Sequence, residues 1–138
     1  MGRIIAFDIG DKRVGVAITD PFGEMALPVE TYWRKGFEKD IDYLIKLAKD
    51  KFADTIVCGL PVNFDGSPSE QTAYTMVFIN KLKENTDLKI ETCDERCTTI
   101  EAHRDLISEG KSRQERKLYV DSIAATYILE GYLNKTKK

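Results

Sequence analysis

The chain predicts an α/β fold in which a mixed five-stranded sheet carries helices on both faces. Three observations lead there. Three strand-like runs follow one another through tight turns, two rounds of helix and strand come next, and an amphipathic helix closes the chain. Hairpins make the first three strands antiparallel, whereas strands reached through helical crossovers pair in parallel, so the sheet is mixed.

The strands of the opening meander lie near residues 3 to 9, 13 to 20 and 25 to 33, and Asp20-Pro21-Phe22-Gly23 supplies the second turn. A helix is expected from about Phe37 to Lys51, because Phe37, Ile41, Leu44, Ile45, Ala48 and Phe52 recur at helical spacing. The buried strand Thr55-Ile56-Val57-Cys58 runs into Gly59-Leu60-Pro61. Ser67-Pro68-Ser69-Glu70 then combines an N-cap, Pro at the first helical position and a capping-box Glu, opening a helix to about Glu84. A fifth strand spans Leu88 to Cys93, and Thr98 with Glu101 forms a capping box for a helix that Gly110 stops. The last helix is read over Lys117 to Leu129.

At 138 residues and 42% apolar content, with no low-complexity tract or repeat, residues 1–138 form one domain with a substantial core. Asp8 interrupts the N-terminal apolar run too early for a signal peptide or a membrane span, so a cytoplasmic protein is expected. Three cysteines fit reduced thiols: Cys58 and Cys93 fall in expected inner strands, and Cys93 with Cys97 lacks zinc-site spacing. The lone His103 reads as a solvated helix residue.

Carboxylates in apolar settings carry the functional signal. Asp8 sits in Ile4-Ile5-Ala6-Phe7-Asp8-Ile9. An unpaired buried carboxylate costs several kcal/mol, so such a group is normally neutralised, paired or metal-bound; alternatively Asp8 only serves the turn after it. Asp121 shares a helix face with Leu118, Ala124, Ala125 and Ile128, a face that should be core; the competing reading puts it in the first turn of a helix that begins near Tyr119. Asp94-Glu95-Arg96 follows the fifth strand, where open α/β sheets place their sites, although such a triplet is also an ordinary solvated turn.

This order of elements is the ribonuclease H-like arrangement, and it would bring the first strand, the last helix and the end of the fifth strand together. Four ordered blocks spanning nearly the whole chain resemble the YqgF/RuvX family of resolvase-like nucleases. They are Phe7-Asp8-Ile9-Gly10 with Lys12-Arg13-Val14-Gly15-Val16-Ala17, Gly59 through Gly66, Asp94-Glu95-Arg96 with Thr98-Thr99, and Asp121 with Ala124-Ala125 and Ile128-Leu129. The resemblance implies a phosphodiesterase dependent on Mg2+ or Mn2+, with Asp8, Glu95 and Asp121 as the catalytic acidic set. Two hard cations roughly 3.5 to 4 Å apart suit that chemistry, and carboxylate oxygens suit such cations. Asp8 would bridge, with Glu95 and Asp121 each holding one metal; Asp94 competes with Glu95, since one register slip exchanges them.

Lys12 and Arg13 beside Asp8, and Arg96 beside the triplet, are candidates for phosphate contacts, as solvated charges or a structural ion pair are in their stead; Asn63 of the second block joins the substrate-binding set. Lys111 to Lys117, rich in positive charge, reads as a linker or a loop that orders on substrate. A net charge of −2 means that any basic surface is local. Asp11 stands where the family pattern carries a small hydroxyl residue, and would either repel phosphate or face solvent.

The partners implied are precursor 16S rRNA or branched DNA, with ribosomal precursor particles, and a homodimer would suit a two-fold-symmetric junction. Two other classes stay open. One is a nucleotide-binding phosphotransferase, suggested by Asp8-Ile9-Gly10 but needing two such domains; the other is a binding module that keeps the carboxylates without turnover.

Overall fold

The computed structural model describes residues 2–61, 67–94 and 113–136, with residues 94, 113–121 and 135–136 described as backbone only. Eight elements follow in order: β1 (Arg3–Ile9), β2 (Arg13–Thr19), β3 (Ala26–Trp33), α1 (Phe37–Asp50), β4 (Ala53–Leu60), α2 (Glu70–Asn85), β5 (Lys89–Asp94) and α3 (Arg113–Thr136). They build one five-stranded sheet of order β3-β2-β1-β4-β5. Antiparallel pairing joins β1 to β2 and β2 to β3, and parallel pairing joins β1 to β4 and β4 to β5. The expected mixed sheet is therefore present.

Strand alternation divides the core in two. Ile5, Phe7 and Ile9 of β1, Val14, Val16 and Ile18 of β2, and Ile56 and Cys58 of β4 pack against Ile41, Leu44 and Ile45 of α1 and Phe78, Ile79 and Leu82 of α2. On the other face, the small residues Ala6, Ala17 and Val57 meet Ala125, Ile128, Leu129 and Leu133 of α3. Each fully buried Val, Leu, Ile or Phe side chain stabilises the fold by roughly 1.5–3 kcal/mol.

Several details depart from the sequence reading. The N-cap of α2 is Ser69, whose side chain accepts from the Thr72 N–H while Thr72 Oγ1 accepts from the Ser69 N–H, so Pro68 precedes the helix and Thr72 takes the place expected of Glu70. Thr72 also donates to the Pro61 carbonyl, which ties the cap to the end of β4 and offers a reason for the later start. The closing helix begins at Arg113, so Arg113 to Lys117 is helical and not a linker. Cys93 lies on β5, an edge strand among the described ones. Cys58 is buried and Cys93 half-buried, and among the described residues neither is in a disulfide. The expected helix after Thr98, with His103 and Cys97, lies outside the described residues.

Candidate functional site

Asp8 is the penultimate residue of β1 and is half-buried. It shares parity with Ile4 and Ala6, so it belongs to the sheet face that α3 covers. Gly10 closes the turn that follows. The Gly10 N–H donates to the Arg13 carbonyl at 2.8 Å, and a Cβ on Gly10 would stand 2.9 Å from that same oxygen. Only glycine fits without movement.

The direction of α3 brings Asp121 towards Asp8. Near its C-terminal end, Glu130, Leu133 and Asn134 of α3 face Glu24, Met25 and Ala26. Ala26 pairs with Thr19, whose Oγ1 accepts from the Ile4 N–H, so this is the end of the sheet where β1 starts. Upstream residues of α3 consequently run towards the end where Asp8 lies. Asp121 precedes Ala125, which packs beside Ala6 in the same core, by one helical turn, while Asp8 follows Ala6 by two strand residues. Since α3 starts at Arg113, Asp121 lies about two turns inside the helix, and the first-turn reading is excluded.

Asp94 ends β5 opposite Leu60 in register. Glu95, Arg96 and Asn63 lie outside the described residues, and among the described ones no set of three potential metal-binding side chains converges. Lys12 and Asp11 are exposed and Arg13 is half-buried in the turn beyond Asp8. The exposure of Asp11 favours the solvent-facing alternative. Gly10, Asp11, Lys12 and Arg13 line a shallow depression of about 280 Å³. A larger groove of about 530 Å³ runs between α1 and α2, on the opposite side of the sheet. Its size does not make it the better site, because the Asp8 side chain belongs to the other face.

A buried ionic network supports the turn beside Asp8, and the sequence reading missed it. Arg34 Nη1 donates to the Gly10 carbonyl at 2.9 Å, and the Arg34 N–H donates to the Lys12 carbonyl at 2.9 Å. The Arg34 guanidinium is held in turn by Asp40, with Nε 2.8 Å from Oδ2, and their side chains are 7% and 0% exposed. Asp40 also accepts from the Tyr32 hydroxyl and the Lys35 N–H. Rings of Phe37, Tyr74 and Phe78 surround the guanidinium with centroids 5.1 to 5.5 Å away. Burial alone would raise the Asp40 carboxyl, but the hydrogen bonds from Lys35, Arg34 and Tyr32, with the Arg34 charge, hold it below its ordinary value. Burial and the adjacent Asp40 push Tyr32 up to about 12. The available signal was the one that exposed Asp8: Asp40 falls on the apolar stripe of α1 with Ile41, Leu44 and Ala48.

Comparison with known proteins agrees with the fold. The RuvX family model, described as a Holliday junction resolvase, matches residues 2–135. A Clostridium acetobutylicum protein named "Putative pre-16S rRNA nuclease" is 44% identical over 132 residues, which cover 96% of this chain and 98% of the relative. A Clostridium kluyveri protein of the same name is 41% identical over 136 residues, 99% of each chain. Among solved structures, Thermus thermophilus RuvC in complex with a Holliday junction superposes with a TM-score of 0.60 at 7% identity, covering 99% of this chain and 97% of that one. Fowlpox virus resolvase, in complex with Holliday junction DNA, gives 0.59 at 16% identity and covers 99% of both. These likenesses establish the ribonuclease H-like resolvase fold.

Proposed function

Because the chain belongs to the RuvX family, we propose that it is a divalent-metal-dependent nuclease that hydrolyses phosphodiester bonds of precursor 16S rRNA in the cytoplasm. The carrying observation is the placement of Asp8 at the end of β1 on the face that α3 covers, with Asp121 one turn before the Ala125 contact. Names and near-full-length identity of the clostridial relatives favour the ribosomal precursor; the family's description as a resolvase supports branched DNA as the second reading.

The donor chemistry fits Mg2+ or Mn2+. Asp8 offers hard carboxylate oxygens from a rigid strand, and Asp121 would add a second carboxylate from α3. The third would come from the acidic pair after Cys93, with Glu95 as the residue of the family motif and Asp94 as its competitor, since one register slip exchanges them. When bound, the cations supply Lewis-acid stabilisation of the phosphate and activation of the attacking water. The chain's own residues orient the substrate: Lys12 and Arg13 meet the backbone from a turn held rigid by Arg34, with Asn63 and Arg96 in the same role.

Asp8→Asn preserves shape and removes the charge. We expect it to abolish cleavage of a precursor 16S rRNA fragment in Mg2+ or Mn2+ while the melting temperature stays within a few degrees, and Asp11→Ser to cut normally. A four-way DNA junction offered in parallel identifies the preferred substrate. Normal cleavage by Asp8→Asn would remove Asp8 from the mechanism.

A further inference from the structure

Trp33, the single tryptophan of the chain, ends β3 with 52% of its surface exposed. Its register ties it to the site. Asp8 pairs with Gly15, Gly15 with Thr31, and Arg13 with Trp33, while Val14 and Tyr32 between them belong to the opposite core. Arg13 and Trp33 therefore lie on the Asp8 face, one row beyond Asp8 itself. Two strand spacings and two residues of rise put Trp33 about 12 Å from Asp8. Gly10 and Gly15 occupy the same face between them and contribute no side chain.

The Arg13 guanidinium lies 5.3 Å from the centroid of the Trp33 ring. One part of the ring thus meets a cation that can also contact phosphate, and the exposed part remains available. The backbone beneath is anchored, since the Arg34 N–H following Trp33 donates to the Lys12 carbonyl and Gly10 closes onto Arg13. Other exposed apolar residues, Phe22, Met25 and Leu27, gather around the opposite end of β3, so Trp33 is not the margin of that patch.

We propose that Trp33 and Arg13 form a stacking platform for an unpaired nucleobase flanking the scissile phosphate. This deepens the nuclease reading and rests on it for the position of that phosphate. Aromatic faces bind bases of any identity, and a neighbouring arginine adds both a cation and a phosphate contact. An exposed base is available in a single strand and hidden in a duplex, so the platform selects unpaired segments next to the cut.

Tryptophan emission reads this contact directly. The full-length protein, in EDTA so that nothing is cut, is titrated with a short single-stranded RNA, the DNA of the same sequence, and a blunt duplex. Saturable quenching by a single strand and not by the duplex is expected, and the tighter of the two strands identifies the sugar preferred. Anisotropy of the labelled strand should show Trp33→Ala binding roughly 5- to 150-fold more weakly, with most affinity kept in Trp33→Phe. Equal affinity in Trp33→Ala, equal quenching by duplex, no binding of a single strand, or an emission shift with protein concentration alone would each overturn the platform. If single strands quench and Trp33→Ala binds weakly while the wild type cuts nothing in metal, the platform stands and the nuclease reading falls. If Trp33→Ala binds and cuts like the wild type while Asp8→Asn is inactive, the reverse holds.

Discussion

Arg34 and Asp40 hold the turn next to Asp8 through a pair almost fully withdrawn from water. Removing one partner of such a pair leaves a buried charge uncompensated and typically costs about 3–5 kcal/mol. Asp40→Asn should therefore lower the urea midpoint markedly, and hydrogen exchange should show the Gly10 amide losing protection along with it. The pH dependence follows from two shifts of opposite sign. Asp40 is lowered, so its contribution is present above the ordinary carboxylate value of about 3.9 and disappears as pH falls through the folded value. Tyr32 is raised to about 12, so its contribution is complete below the ordinary tyrosine value of about 10 and is lost as pH climbs through the folded one. Denaturation midpoints measured across pH should fall at both limits, and the acid limb should shrink in Asp40→Asn. Asp8 drew attention in the sequence because it interrupts an apolar strand, although service to the following turn was a local alternative. Asp40 carried the same mark on α1, but Glu38 and Asp40 also look like ordinary first-turn acids, and that local reading concealed a long-range pair.

At the scale of elements, boundaries were readable where local chemistry alone sets them. β1 to β3 and α1 agree with their alternation and spacing to within a residue or two. They fail where a tertiary contact decides, as at α2, whose start moves to Ser69 with Thr72 bonded to the Pro61 carbonyl. The start of α3 is another case: a basic segment that resembles a linker is helical from Arg113. The end of α1 offers a test. Phe52 follows the C-cap with φ of 63°, a left-handed conformation that glycine adopts freely, and its side chain is 77% exposed. Replacing it removes backbone strain and little packing, so Phe52→Gly should stabilise the protein by about 0.5–1 kcal/mol. A chemical denaturation curve with an unchanged or lowered midpoint would contradict that.

For the whole molecule, a net charge of −2 limits electrostatic attraction to the corner that bears Lys12 and Arg13. Binding of a single strand should consequently show a shallow salt dependence, and Lys12→Ala should reduce the slope of log K against log salt by about 0.7 if that residue contacts one phosphate. An unchanged slope would assign Lys12 to solvent. The mixed pairing of the sheet and the helices on its faces were foreseeable from the alternation of elements. The direction in which α3 crosses the sheet was not, because no residue of that helix specifies it alone.

The core beneath α3 joins Ala6 and Ala17 to Ile128, Leu129 and Leu133, contacts separated by more than a hundred positions in the chain. During synthesis the first strands leave the ribosome long before the helix that covers them, and contacts of such long range are slow to form. The half that packs on α1 and α2 can condense earlier. Asp8 therefore waits on an uncovered sheet until α3 docks, so the surface around it is completed only after the last helix has been made.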